Sequence, residues 1–414
     1  MMNSNTQAIL LLTAYFSKPG KDSVKPLTPT EWGRFAHWLN ENGKTPADLV
    51  TNDPHGLLQG WDVSKIPLER IKLLLGRGHA MALALEKWTR AGIWVLTRSD
   101  ADYPRSLKHR LRNDAPPVLF GCGNPQLLNC MGISVVGSRN ALEEDLHYTR
   151  RLGRSIVESG CTVVSGGAKG IDETAMLAGV ENNGTVVGVL SDSLLTAAIS
   201  SKWRQGLMNG NLVLVSPFYP EAGFNTGNAM ARNKYIYCIG QAAVVVHSGI
   251  SGGTWNGAIE NLKKAWVPLW VKPNTNADAG NSQLVGKGGQ WLETRTDSIH
   301  VQGLIEHNSA RSSYQVSESS ANDNGQPVQA EPEVKPAAVD TTSASELDFY
   351  QLFLLKMQQL DEALSVDELA RTWHLPKSLL NDWLKQSVEE GRVKKLNKPV
   401  RYQFTSASAT SQLT

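Results

Sequence analysis

Large apolar residues recur along this chain with two different periods, and the change of period divides it into regions. Up to about Pro117 they return every three or four positions, most regularly over Thr30–Leu39 and Arg70–Trp88. This spacing is that of amphipathic helices and predicts a helical domain over residues 1–117. Within it, Leu75–Gly78 is a short glycine turn, typical either of helix packing or of a helix-hairpin-helix that offers N–H groups to phosphate.

Beyond this helical region the pattern alternates between strand and helix. Segments such as Glu143–Ser159 and Asp172–Asn182 are long enough for crossover helices between apolar, β-branched runs. Strands that are apolar throughout are buried on both faces, so we expect an α/β fold with a doubly wound, mostly parallel Rossmann-like sheet over residues 118–300. The candidate strands are Ile133–Gly137, Thr162–Ser165, Thr185–Leu190, Leu212–Ser216, Ala243–His247 and Val267–Val271.

The sequence pattern of the C-terminal part changes at two points. Residues 301–345, and most clearly 309–345, are rich in Ser, Ala, Pro, Glu and Asn with few large apolar residues, which predicts a disordered linker. Residues 346–406 return to helical periodicity and end in the short ribbon Arg401–Phe404. The order of helix, helix-turn-helix and ribbon predicts a winged-helix domain.

Composition excludes several classes of protein. The formal net charge of +2 over 414 residues means that nucleic-acid binding would need a local basic patch. The four cysteines, without a CxxC pair, argue against a zinc site or a disulfide framework, and we expect no metal and no cofactor. No stretch approaches the roughly 20 apolar residues of a membrane span, so we expect a cytoplasmic protein that does not contact membranes.

Two glycine segments, Val135–Arg139 and Ser165–Asp172, carry the first candidate chemistry. Each follows a β-branched run and precedes a helical pattern, so each should present backbone N–H groups at the carboxyl end of a parallel strand. The glycines allow close approach of a ligand, and Asp172 could either cap the next helix or bind a sugar hydroxyl. The candidate phosphate-binding residues here are Gly137, Ser138, Arg139, Gly166, Gly167, Lys169, Gly170 and Asp172.

Two further clusters are expected to reach the same edge of the sheet. Ala231–Lys234 precedes a helical run at Tyr235–Gln241, and Ser248–Thr254 follows the fifth candidate strand. Several cations and free N–H groups without an obvious carboxylate partner suit a polyanion, either a nucleotide or a DNA backbone. These clusters add Arg232, Asn233, Lys234, Ser251, Gly252, Gly253 and Thr254 to the candidate site.

The predicted winged helix carries its own basic patch. Its wing is more basic than its recognition helix, so the domain could contact duplex DNA or equally serve as a protein-interaction domain. The residues of this patch are Lys377, Arg392, Lys394, Lys395, Lys398 and Arg401.

In order and spacing, the two glycine segments and the two further clusters expected at the same edge of the sheet resemble those of the DNA processing protein A (DprA/Smf) family. The upstream stretches Asp102–Leu107 and Ala115–Gly121 are also similar to that family, and the likeness covers roughly residues 90–272. It implies a SAM-like or helix-hairpin-helix-like N-terminal domain, binding of single-stranded DNA in the basic crevice, homodimerisation and delivery of the strand to a RecA-type recombinase. It implies no catalysis, so we expect no catalytic residues.

The chain also departs from the family pattern. The family's usual Ala-His is Ala175–Met176 here, and its usual Arg-Asn-Arg ends in Lys234. The loop at Ser251–Trp255, with Glu260 downstream, instead resembles the LOG-like phosphoribohydrolases, which cleave nucleotide N-glycosidic bonds. A nucleotide-sensing or nucleotide-cleaving protein, or an antitoxin-like regulator of a partner in a phage-defence system, therefore stays open as the alternative. His247 and Cys238 lack a base-orienting third group and are assigned no role.

Overall fold

The computed structural model describes residues 2–20, 23–274, 280–292, 301–305, 349–360, 362–373, 377–396 and 400–404. The chain divides into two compact units, Met1–Asp323 and Asn324–Thr414. Each unit is described by itself. Among the described residues, no helix is both long enough and apolar enough to cross a membrane.

The N-terminal part of the first unit is built from six helices. The longer ones form where the predicted apolar stripes lie, and α2 begins with a capping box in which Thr28 and Glu31 satisfy each other's backbone N–H groups. The helices are α1 (Ser4–Thr13), α2 (Pro29–Glu41), α3 (Asp48–Thr51), α4 (Pro54–Leu57), α5 (Leu68–Leu75) and α6 (Gly78–Arg90).

Arg77 fixes the turn between α5 and α6 from the inside. Its Nε donates to the carbonyl of Leu74 (3.2 Å), its Nη2 donates to the carbonyl of Leu11, and its guanidinium lies 5.0 Å from the ring centroid of Phe16. Burial lowers the pKa of Arg77 to about 10. This turn therefore directs its cation into the helical core.

The predicted doubly wound, mostly parallel sheet is confirmed, and it has nine strands. Their order is β1-β2-β6-β5-β4-β3-β7-β8-β9, with β1, β2 and β6 paired antiparallel and all other neighbours parallel. The strands are β1 (Trp94–Thr97), β2 (Val118–Gly123), β3 (Gly132–Val136), β4 (Thr162–Ser165), β5 (Val186–Val189), β6 (Leu212–Ser216), β7 (Ala242–Val245), β8 (Leu269–Val271) and β9 (Gln290–Trp291). The sequence analysis did not predict β1, β2 or β9.

Alternate residues of each strand face opposite layers of helices. Val135 and Val163 pack on one face against α8 and α9, whereas Val136 and Val164 pack on the other face against α12. The first of these cores also includes the buried residues of α1, α2, α5 and α6. The helices of the sheet region are α7 (Arg105–Leu111), α8 (Glu143–Glu158), α9 (Ile171–Glu181), α10 (Leu194–Ala198), α11 (Ser201–Met208), α12 (Thr226–Ile239), α13 (Gly253–Lys264) and α14 (Asn281–Gly286).

Residues 301–305, the first five of the predicted linker, form a helical turn that packs on the sheet region. Val301 and Leu304 are buried in its core, and Trp270 Nε1 donates to the carbonyl of Leu304 (3.1 Å). The rest of the predicted linker, residues 306–345, lies outside the described residues.

The described residues of the second unit form three helices and a two-stranded antiparallel ribbon. They are α15 (Phe349–Gln358), α16 (Val366–Trp373), α17 (Lys377–Glu389), β10 (Val393–Leu396) and β11 (Arg401–Phe404). Phe353, Leu369, Leu384 and Val393 belong to its separate apolar core. These elements follow the order expected for a winged helix, and the winged-helix assignment itself stays a prediction.

Candidate nucleic-acid interface

The glycine loops meet where three neighbouring strands end. β3 and β7 are neighbours, and the chain runs on from β3 to β4 on one side and from β7 to β8 on the other. The loops after β3 and β7 therefore diverge and open a crevice at this switch point of the sheet. The loop after β3 is tied to the end of β7, because the N–H of Ser138 donates to the carbonyl of His247 (2.9 Å). A Cβ at Gly170 would lie 2.8 Å from the carbonyl oxygen of Ser138, so the β3 and β4 loops are also in close contact.

Two helices start at this crevice without side-chain caps. α9 follows Gly170 and α13 follows Gly252, whose φ angles of 93° and 92° favour glycine. Neither N-cap residue supplies a hydrogen-bonding side chain. In α9 the third N–H, that of Glu173, donates instead to the carbonyl of Ala168 (3.0 Å). Both helix N-termini therefore offer donors and a partial positive charge to an anion.

Asp172 is not the N-cap of α9. It is the second residue of the helix, it is buried, and its Oδ1 accepts the N–H of Gly137 (3.3 Å). Its Oδ2 lies 3.8 Å from Nη1 of Arg232, which also donates to the carbonyl of Val189 (2.8 Å). Asp172 therefore joins the β3 loop to a buried arginine, and its carboxylate oxygens are already engaged by partners within the protein.

The buried pair of Asp172 and Arg232 leaves no room for a side chain at Gly166. A Cβ at residue 166 would overlap the guanidinium of Arg232 and the carboxylate of Asp172. Burial raises the pKa of Asp172 to about 6, although Arg232, the Gly137 N–H and Arg139 all act to lower it. Burial likewise lowers the pKa of Arg232, opposed by Asp172.

The third predicted cluster lies within a helix, not in a loop ahead of one. Residues 231–234 are in the middle of α12, so their side chains point in different directions. Arg232 is buried, Asn233 Nδ2 donates to the carbonyl of Gly253 (2.9 Å), and Lys234 lies over the ring of Tyr235 at 5.2 Å. The expectation of cations without a carboxylate partner is therefore wrong for Arg232, which is paired with Asp172.

A cavity of about 250 Å³ opens between these loops and α12. Two of its buried polar groups have no hydrogen-bond partner within the described residues, namely Nε of Arg232 and the hydroxyl of Tyr237. Of the predicted site residues, those that line the cavity are Gly137, Arg139, Asp172, Arg232, Asn233, Gly252, Gly253 and Thr254. Those that lie outside its lining are Ser138, Gly166, Gly167, Lys169, Gly170, Lys234 and Ser251.

Two exposed cations stand at the mouth of the crevice. Arg139 and Lys169 are exposed, and neither forms an ion pair with a carboxylate in the described part of the chain. The guanidinium of Arg139 lies 4.8 Å from the ring centroid of Phe224, a side chain that is 60% exposed. Sequence reasoning missed Phe224 and Tyr237, because neither belongs to a glycine or basic cluster.

The other residues considered from the sequence fall outside the crevice. His247 Nδ1 lies 3.1 Å from Oδ2 of the buried Asp145, whose Oδ1 accepts from Lys272 Nζ (2.8 Å). Glu260 is exposed on α13 and does not line the cavity. Within the residues that the structure covers, no cluster of three or more His, Cys, Asp or Glu side chains could hold a metal ion.

The basic patch of the second unit is only partly described. Arg392, Lys394 and Lys395 are exposed on or beside β10. Arg401 is engaged internally, since its Nη1 donates to the carbonyl of Ala363 (3.0 Å) and its Nη2 lies 3.5 Å from Glu368. Lys377 begins α17, and Lys398 lies outside the described residues.

Comparison with known proteins gives consistent matches. The family model of DNA recombination-mediator protein A matches residues 94–302, about half of the chain. Protein Smf of Synechocystis is 28% identical over 230 residues, covering 53% of this chain and 57% of the relative, and protein Smf of Escherichia coli is 26% identical over 239 residues, covering 56% and 59%. The chain thus spans less than two thirds of the length of these relatives.

A solved structure shares the fold. The X-ray structure of DNA processing protein A from Streptococcus pneumoniae aligns with a TM-score of 0.55 at 18% identity, covering 70% of this chain and 95% of that chain. At this identity the likeness concerns the fold alone.

Proposed function

The chain belongs to the DNA processing protein A (DprA/Smf) family, and on that premise we propose that it binds single-stranded DNA and acts in DNA processing and recombination. We propose that the phosphate backbone of the strand enters the crevice between the β3, β4 and β7 loops. The names of the relatives, which refer to DNA processing and recombination, support this role.

One observation carries the proposal. Arg139 and Lys169 are exposed without a carboxylate partner in the described chain, beside two uncapped helix N-termini and the partly unsatisfied guanidinium of Arg232. A phosphodiester supplies acceptors to the two exposed cations and to N–H groups at the helix N-termini. Asp172 is already neutralised by Arg232, so it opposes an anion less than a free carboxylate would.

The arrangement supports binding more than catalysis. Glu260 lies outside the cavity, and Asp172 is buried against Arg232, so no pair of accessible carboxylates flanks the crevice in the described residues. We therefore propose a non-enzymatic role.

A fluorescence-anisotropy titration with a labelled strand of about 50 nucleotides tests this function. Arg139→Ala/Lys169→Ala should weaken binding by roughly tenfold or more, and should reduce the slope of log affinity against log salt by about 1.4. Lys263→Ala/Lys264→Ala removes the same charge from the opposite end of α13 and serves as the matched control. Equal affinity of the two double variants would overturn the proposal.

A second candidate function, binding of a free nucleotide, is favoured by the cavity itself. Its volume of about 250 Å³ is close to the lower end of the range for small-ligand pockets, and Arg232 and Tyr237 are among its lining residues. A mononucleotide added as competitor separates the two functions. The second candidate is favoured if the mononucleotide displaces the strand at a concentration close to the total concentration of nucleotides in that strand.

Delivery of the strand to a RecA-type recombinase and homodimerisation are finer proposals that rest on family membership. Light scattering measures the oligomeric state directly. A strand-exchange assay with a RecA-type protein, with the strand already coated by a single-strand-binding protein, measures delivery. If adding this protein does not increase the rate of strand exchange, delivery of the strand to the recombinase is excluded.

A further inference from the structure

A second and larger cleft lies between the N-terminal helices and the sheet region. Its volume is about 1400 Å³, and both of its walls belong to the first compact unit. One wall is the end of α1 with the segment that leads into α2, and the other is the loop from β6 to α12 with the start of β2. No residue of this cleft belongs to the glycine loops of the crevice.

The cleft and the crevice share a wall. Phe224 lines both cavities, and the guanidinium of Arg139 lies against its ring from the side of the crevice. The first half of α12 also separates them, with Met230 facing the crevice and Ala231 and Lys234 facing the cleft. A DNA strand that leaves the crevice over Phe224 would therefore enter the cleft directly.

The charge of the cleft suits a polyanion. Its two carboxylates are neutralised within the protein: Glu31 pairs with Arg70 (2.9 Å), and Glu221 pairs with Lys87 and accepts from Trp88 Nε1 (3.2 Å). The three lysines of its lining have no carboxylate partner within the described residues, which leaves a positive surplus. These lysines are Lys18, Lys25 and Lys234.

The walls of the cleft are preformed and partly aromatic. Arg70 holds the segment before α2 in place, because it donates to the carbonyls of Lys25 and Pro26 (3.0 Å each) as well as to Glu31. Tyr15 and Phe218 are only half-buried and present aromatic surface to the cleft. Surfaces of this kind stack against bases without regard to sequence.

We propose that this cleft receives the nucleotides that follow those in the crevice, with bases against Tyr15, Phe218 and Phe224 and phosphates near the lysines of the N-terminal part. The inference rests on the proposed function and extends it. The helical region is then part of the DNA-binding surface, and the strand turns over Phe224 between two connected sites.

The test is a length series of oligothymidylates, measured by anisotropy with the full chain. For wild type, affinity should rise steeply once the oligomer is long enough to pass from the crevice into the cleft. Lys18→Ala/Lys25→Ala should leave the shortest bound oligomers unaffected, weaken the longest by roughly tenfold and reduce their salt slope by about 1.4. The control is again Lys263→Ala/Lys264→Ala.

The outcomes separate the two proposals. If long oligomers bind the Lys18→Ala/Lys25→Ala variant as tightly as wild type while Arg139→Ala/Lys169→Ala weakens all lengths, the cleft inference is wrong and the proposed function stands. If no oligomer binds wild type, both fail together. Photocrosslinking of a strand that carries 5-iodouracil gives a second readout. Crosslinks at Tyr15 or Phe218 support binding of the strand in the cleft, whereas crosslinks confined to the crevice overturn it.

Discussion

The guanidinium of Arg232 lies 3.8 Å from the carboxylate of Asp172, and the two side chains are only 4% and 8% exposed. This buried pair connects α12 to α9 behind the crevice and occupies the space that a side chain at residue 166 would need. An ion pair in this position orients its neighbours more than it stabilises the fold, because desolvation offsets most of the attraction.

Gly166→Ala should destabilise the first unit, because the added methyl group overlaps both members of the pair. We expect a loss of about 1–3 kcal/mol in the free energy of unfolding, measured by urea denaturation. Gly286→Ala is the control, since a Cβ there meets nothing within 4 Å. Equal effects of the two substitutions would contradict the steric argument.

DNA affinity should increase as pH falls from about 7.5 to about 5.5. The pKa of Asp172 is raised to about 6, so protonation over this range removes a negative charge beside the bound phosphates. The gain is expected to be about 1 kcal/mol, or roughly fivefold. Anisotropy titrations of wild type, Asp172→Asn and Glu260→Gln measure it; the increase should vanish in the first variant and persist in the second.

The same shift has a consequence for stability. Because the pKa of Asp172 is higher in the folded state than its ordinary value of 3.8, protonation favours the folded state. The contribution of this group to the free energy of unfolding is greatest below pH 3.8 and declines as pH rises to about 6. Asp172→Asn should remove that decline in urea titrations.

Asp145 should behave in the opposite way. Burial alone would raise its pKa, but contacts with His247 and Lys272 outweigh burial and lower it, so its stabilisation is present above its ordinary pKa and is lost in acid. Asp145→Asn removes the closer of the two carboxylates from the buried Lys272 and leaves it only the exposed Glu144 at 3.7 Å, so we expect a loss of about 3 kcal/mol in the free energy of unfolding at neutral pH.

Glu144→Gln is the matched control for Asp145→Asn. Glu144 is the adjacent residue, lies 3.7 Å from the same Lys272 and is 83% exposed, so its substitution should change stability by no more than about 0.5 kcal/mol. If both variants unfold at the same urea concentration, Asp145 does not have the role assigned to it.

Phe224→Ala should weaken DNA binding with little effect on folding. The side chain is 60% exposed, so its removal should change stability by about 0.5 kcal/mol or less. Loss of a stacked base and of the contact with Arg139 should cost about 1–3 kcal/mol of binding. Met208→Ala removes an apolar side chain of α11 that is even more exposed (80%) and should bind DNA like wild type.

The central part of the fold could be predicted because its strands are apolar throughout and its helices are separated by glycine turns. The bounds expected for Thr162–Ser165 and Leu212–Ser216 agree with those of β4 and β6. β1 was not predicted because Trp94–Thr97 follows closely on the helical pattern of α6, which ends at Arg90. Its pairing with β2 shows that it is a strand of the sheet.

The candidate site could be predicted in part. Loops after parallel strands must meet at one edge, so the positions of Gly137 and Gly170 followed from the strands alone. The sequence could not tell which face of α12 holds Arg232, because the cluster was placed outside the helix. Phe224 lies 85 residues after Arg139, and no local pattern joins residues that distant.

The core that runs from α1 and α6 onto one face of the sheet has a consequence for how this chain can change in evolution. Trp88 of α6, which is fully buried, packs against Phe120 of β2 and Tyr219 beyond β6, so the helical region and the sheet share part of their core. An exchange of the helical region for an unrelated module would remove the partner of Phe120 and Tyr219 at this end of the sheet. At this junction sequence drift can proceed only by compensating changes on both sides, and the two regions are expected to be inherited together.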